Sequence, residues 1–111
     1  RGTILFTGAT ASMRGASGFA AFSGAKFGVR SLAQSMAREF GPLGIHVAHV
    51  IIDGAIDTEW IEELFPETYA KKKDDGILNP EDIAEVYWQL HLQKRSAWTQ
   101  EMDLRPWMEP F

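Results

Sequence analysis

The chain has 111 residues, 45% hydrophobic and 23% charged, with a formal net charge of −4 and no cysteine. That composition is ordinary for one soluble globular domain. It gives no global pull toward nucleic acid or anionic membrane, and it excludes disulfides, thiolate metal sites and cysteine nucleophiles. No run approaches the roughly 20 apolar residues of a membrane span, no export signal is visible, and the lack of cysteine fits a reducing compartment, so the cytoplasm is the expected location.

The chain begins at Arg1 and enters a strand-like run within a few residues, the pattern of a chain cut inside a larger protein. Ile4-Leu5-Phe6 is short, apolar and β-prone and meets Thr7-Gly8, so it reads as a strand buried on both faces and ending at a turn. Ala9 to Gly18 reads as a loop rich in small residues, with Arg14 its only charge. From Phe19 to Phe40, Phe22, Val29, Leu32, Ala33, Met36 and Phe40 recur at helical spacing, and Gly41-Pro42 supplies a stop. Ile45 to Ile52 is a second strand. Thr58 can cap a short helix limited by Pro66, with Glu59, Glu62 and Glu63 near its amino end. The segment through Lys71-Lys72-Lys73-Asp74-Asp75-Gly76 reads as polar and mobile. Asn79-Pro80-Glu81-Asp82 starts a further helix with Ile83, Val86, Tyr87 and Leu90 on its apolar face, and Gln100 to Leu104 gives a last short strand.

Strand, helix and strand with short connections make a βαβ unit, whose crossover renders the strands parallel. The expected fold class is therefore α/β. Three strands and two main helices leave an open sheet edge, so the chain is expected to need more sheet from upstream sequence or from a partner. His46 and His49 are three apart on a strand and face opposite sides, a poor metal pair, and His91 stands alone on a late helix. No metal site is expected.

Thr7 to Gly15 follows a strand in the manner of a glycine-rich dinucleotide loop, but Ser12 and Arg14 occupy places where close backbone approach wants glycine. A plain strand-to-helix loop lining a cleft is the better reading. Phe22 and Lys26 lie four apart near the start of the long helix and so share a face.

Taken in order, four stretches resemble the carboxyl-terminal half of a short-chain dehydrogenase/reductase. They are Gly2-Thr3-Ile4-Leu5-Phe6-Thr7 as the strand before the catalytic loop, Ala20-Ala21-Phe22-Ser23-Gly24-Ala25-Lys26 at the Tyr-x-x-x-Lys position, Asp53-Gly54-Ala55-Ile56-Asp57-Thr58 at the Pro-Gly-x-Ile-x-Thr position, and Asn79-Pro80-Glu81-Asp82-Ile83-Ala84 before the last helix. The resemblance implies a partial Rossmann-like, doubly wound parallel sheet: residues 1–111 form one partial domain whose amino-terminal nucleotide-binding half is absent. It implies hydride transfer between a small carbonyl or alcohol substrate and NAD or NADP, with the cofactor requiring that absent half. It also implies a homo-oligomer, while the net charge of −4 and the lack of a long apolar run give the expectation of no nucleic-acid or membrane partner.

Carried over residue by residue, the family lysine is Lys26, which lowers the tyrosine pKa and holds the nicotinamide ribose. Phe22 stands at the tyrosine position and is not a proton donor, since a phenyl ring cannot exchange a proton. The family serine falls thirteen residues earlier, at Ala9; Thr10 is adjacent and Ser12 lies in the same loop as substitutes. Asp53 replaces the motif proline, while Gly54, Ile56 and Thr58 match on the cofactor side. Each position has a plainer reading: Phe22 as an apolar wall, Lys26 as a lysine with a snorkelled stem, Thr10 and Ser12 as loop hydroxyls bonded to nearby backbone, Thr58 as a helix cap. Trp60, Phe65 and Tyr69 fall in the segment that covers substrate in the family. Three functions remain open: an atypical oxidoreductase, a non-catalytic homologue that binds nucleotide or a partner, and a fragment inactive by itself.

Overall fold

A computed structural model describes residues 1–110. Three strands, β1 (Gly2–Ala9), β2 (Ile45–Ile52) and β3 (Glu101–Leu104), form one parallel sheet in the order β1-β2-β3. Helix α1 (Ala20–Phe40) packs against β1 and β2 on one face. On the other face α4 (Pro80–Leu92) supplies the lid of the main core: Val50 and Ile52 meet Leu90, surrounded by Leu5, Ile56, Ile83, Val86, Met102 and Leu104. Burying Val50, Ile52 and Leu90 contributes about 1.5–3 kcal/mol each, and the partly buried neighbours contribute less.

The α/β class and the parallel sheet agree with the sequence reading, and the differences are local. β1 extends through Ala9, because its pairing with β2 continues in register to Ala9 opposite Ile52; a short 3-10 turn over Thr10–Ser12 then begins the loop. The polar stretch after Pro66 is ordered as α3 (Pro66–Tyr69) and a 3-10 turn (Ala70–Asp74). Tertiary bonds hold it. Lys72 Nζ lies 2.9 Å from Asp57 Oδ2, and Trp107 Nε1 donates to the Asp74 carbonyl at 2.9 Å.

The helix boundaries follow their local chemistry. Gly44, at φ 85°, makes the left-handed step from the end of α1 into β2 that a side chain would resist. Thr58 Oγ1 accepts from the Ile61 amide at 3.2 Å and so caps α2 (Glu59–Leu64). Asn79 Oδ1 accepts from the Glu81 amide at 2.8 Å, with Pro80 in the first turn of α4. No described helix is long and apolar enough to cross a membrane.

Candidate active site

The carboxyl ends of β1 and β2 open into a cavity of about 460 Å³, lined by Thr10, Arg14, Phe19, Phe22, Gly54 and Ala55 among others. In open parallel sheets ligands bind in the crevice beyond the carboxyl ends of the strands, so the place itself is informative. Phe19 and Phe22 supply apolar wall, with Phe22 half exposed at 50%. Ala9 also lines the cavity. The two positions where the family resemblance puts hydroxyls, Ala9 and Phe22, therefore face it without one.

The expected site residues separate. Thr10 lines the cavity, and its hydroxyl donates to Asp53 Oδ1 at 2.5 Å. Ser12 does not line it: the side chain is fully buried, and its Oγ accepts from the Ala9 amide at 3.0 Å. Lys26 stands below Phe22, with Nζ 5.8 Å from the ring centroid and 3.5 Å from the Thr7 carbonyl, to which it donates. Phe22 and Lys26 thus share the helix face that their spacing requires. Ser23, between them, donates to the Ala11 carbonyl at 2.8 Å and fastens the loop to α1.

The segment from Asp53 to Thr58 leaves β2 in a fixed path. Gly54 has φ 153°, and a Cβ there would lie 2.8 Å from Pro106 Cδ, so both conformation and space favour glycine. Ile56 bridges Leu78 through the Ala55 carbonyl and the Asp57 amide, which directs the Ile56 amide and carbonyl to the opposite side. The Ile56 side chain joins the core. Thr58 accepts its capping bond but keeps a hydroxyl proton to donate.

Asp53 was noted in the sequence only as a departure from proline, and Arg105 gave no signal. The structure joins them: Asp53 Oδ2 accepts from Arg105, which also donates to the Glu109 carbonyl at 3.1 Å. Arg14, whose side chain is 55% exposed, comes within 3.9 Å of Asp53 Oδ1, while the Asp53 side chain is only 6% exposed. The lone charge of the loop was the available hint for Arg14. Trp60, Phe65 and Tyr69 do not line the cavity; Trp60 and Phe65 pack edge to face at 5.4 Å.

Behind the site, beneath α1, Arg30 grips Glu101 through two bonds of 2.9 Å, and His49 Nδ1 donates to Glu101 Oε2 at 3.1 Å. The Arg30 guanidinium holds the Glu101 carboxyl below the usual carboxylate range; burial opposes this and His49 adds to it. The same bond raises Arg30 above its ordinary value. Lys72 is also raised, first by its hydrogen bond to Asp57 and then by Tyr69.

Lys26, Ile56 and Thr58 do not line the cavity, but their groups, an ammonium, a backbone amide and carbonyl, and a hydroxyl with a proton to donate, are of the kind that the nicotinamide end of a dinucleotide takes. No glycine-rich phosphate turn accompanies them among the described residues.

Comparison with known proteins agrees with this fold. The family model for short chain dehydrogenase matches residues 1–69. No curated protein matches. Among solved structures, a short-chain dehydrogenase from Rhodopseudomonas palustris is 50% identical, with a TM-score of 0.70; the match covers 96% of this chain and 39% of that one. A short-chain oxidoreductase from Pseudomonas aeruginosa PAO1, described as containing an atypical catalytic center, is 20% identical with a TM-score of 0.77, over 96% of this chain and 47% of that one. A serine dehydrogenase complexed with NADP+ is 18% identical with a TM-score of 0.74, covering 98% of this chain and 46% of its own. The last two establish likeness of fold alone. The chain spans less than half the length of each of these structures. It belongs to the short-chain dehydrogenase family.

Proposed function

We propose that the chain carries the substrate-side half of an NAD(P)-dependent oxidoreductase acting on a small carbonyl or alcohol compound. The observation that carries this reading is the cavity at the carboxyl ends of β1 and β2, lined by Thr10 and by Phe22, with Lys26 Nζ 5.8 Å from the Phe22 ring centroid. The nicotinamide, when bound, supplies the hydride acceptor or donor. Lys26 binds its ribose, Gly54 lets the backbone pass close to Pro106, and Ile56 and Thr58 hold the carboxamide and phosphate side. Phe22 shapes the substrate space and excludes water. With Ser12 buried and bonded, Thr10 is the loop hydroxyl available to a substrate oxygen.

NAD or NADP binding in this reading requires an amino-terminal half beyond residues 1–111. A homo-oligomer is supported by exposed Phe27 and Leu32 on α1 and Trp88 and Leu92 on α4, and a cytoplasmic location by the cysteine-free composition. The absence of a hydroxyl at both Ala9 and Phe22 favours a second reading, a homologue that binds nucleotide without turnover.

The two readings part in a turnover assay of the full-length protein, amino-terminal half included, with NADH and NADPH over a panel of ketones and aldehydes. Oxidation of cofactor that Lys26→Ala removes supports the enzyme. Tight cofactor binding with no turnover on any compound contradicts it. Phe22→Tyr is expected to raise the rate, because general acid catalysis contributes about 10²- to 10⁴-fold.

A further inference from the structure

We propose that Thr10 and Asp53 form a proton relay that takes the place of the family's tyrosine, with Thr10 touching the substrate oxygen and Asp53 taking the proton behind it. The relay rests on the oxidoreductase reading above. Its geometry is directional: Thr10 Oγ1 donates to Asp53 Oδ1 at 2.5 Å, so the hydroxyl proton points into the protein and the oxygen lone pairs remain for a donor in the cavity. A substrate alcohol is such a donor. Asp53, its side chain 6% exposed, does not line this cavity, so the Thr10 hydroxyl is the route from the cavity to it.

Two features make the pair more than a loop fastening. Arg105 occupies the other carboxylate oxygen, Oδ2, which fixes the carboxylate, while Oδ1 accepts from Thr10 with Arg14 3.9 Å away. The position is also one where the family motif has proline, a residue that offers no side-chain acceptor, so the carboxylate appears together with the losses at Ala9 and Phe22. The loop is already secured without it, by Ser23 to the Ala11 carbonyl and by the Ala9 amide to Ser12.

In the oxidation direction the substrate O–H bond breaks as its proton bonds to Thr10 Oγ1, and the proton previously on Thr10 bonds to Asp53 Oδ1. The hydrogen on the carbinol carbon would leave with its electron pair as the C=O bond forms, a bound oxidised nicotinamide supplying the acceptor. One alcohol becomes one carbonyl. The carboxylic acid on Asp53 then returns its proton to water through Thr10 after the product leaves. Reduction runs the same path backward.

The test uses the full-length protein, amino-terminal half included, and four variants: Thr10→Val, Thr10→Ser, Asp53→Asn and the double Thr10→Val/Asp53→Asn. Thr10→Val keeps the volume but removes the hydroxyl, and Asp53→Asn keeps an acceptor for Thr10 but cannot take a proton. Each is expected to lower kcat by about 10²- to 10⁴-fold with KM little changed, and the double variant is expected to be no worse than either single. Thr10→Ser should stay within about threefold of wild type. NADH affinity, read by fluorescence titration, and the unfolding midpoint should stay near wild type in Thr10→Val, which leaves the Asp53–Arg105 pair intact. The relay is overturned if Thr10→Val keeps its rate, or if the losses follow weakened NADH binding or a lowered midpoint, the outcome a mere fastening would give. Absence of turnover in the wild-type full-length protein overturns the oxidoreductase reading, and the relay with it.

Discussion

The two faces of β2 are built on different physics. Toward α4 the strand presents Val50 and Ile52, and the sheet continues this with Leu5 on β1 and Met102 and Leu104 on β3, all packed against Leu90. Toward α1 it presents His49, aligned with Phe6 and Glu101 in the neighbouring strands, with Asp53 beyond the strand end. One face gains its stability from apolar area removed from water. The other places titratable groups in fixed bonds beside the cavity, where they cost desolvation but can do chemistry. The lesson is a division of labour across one strand: the α4 face holds the sheet together, and the α1 face positions the loop that carries Thr10.

The largest expected effect breaks the apolar face. Leu90→Ala should cost about 3 kcal/mol in a denaturant melt, because the side chain is buried among residues that cannot collapse onto the gap, and the loss should not vary between pH 4 and 7. On the other face, Gly8→Ala should cost about 2 kcal/mol by overpacking. A Cβ at Gly8 would overlap the Nε2 edge of His49 and sit 2.7 Å from Ser12 Oγ, and both neighbours are fully buried.

Acid separates the faces further. Glu101 has its carboxyl pKa lowered in the folded chain, so its contribution is present above the ordinary glutamate pKa and fades as pH falls through the lowered folded value. Arg30→Met removes the main cause of that shift, so it should cost about 1–2 kcal/mol near neutral pH and flatten the loss of stability in the acid range, as read by thermal melts across pH. A wild-type acid limb that Arg30→Met leaves unchanged would contradict this origin. The smallest effect expected is Thr58→Ala, about 1 kcal/mol for the lost cap, with looser cofactor binding if the hydroxyl also serves the nicotinamide side.

What could be read from the sequence follows the same division. The α4 face was legible because apolar residues at helical and strand spacing carry it: Ile83, Val86, Tyr87 and Leu90 point one way, and Asn79-Pro80 marks where the helix starts. Phe22 and Lys26 were legible because their spacing is local. The contacts of the α1 face were not, because they join residues far apart in the chain. Nothing near Arg30 announces Glu101, and nothing near Asp53 announces Arg105; register between β2 and β3 makes the first pair possible and the path after β3 the second. Ser12 and Thr10 looked equivalent in the loop until the 3-10 turn buried one and exposed the other to the cavity. The stretch after Pro66 looked mobile because its bonds, Lys72 to Asp57 and Trp107 to Asp74, are again long-range.

The central claim is that the cleft beside Phe22 is a nicotinamide site held by Lys26. Calorimetric titration of the full-length protein, with the amino-terminal half that cofactor binding requires, with NADH and NADPH, wild type against Lys26→Ala, tests it most directly. The account predicts saturable binding of one or both nucleotides by wild type and binding weakened by about tenfold or more in Lys26→Ala, the loss of roughly one charge-assisted hydrogen bond. No saturable binding by wild type, or binding indifferent to Lys26, would contradict it.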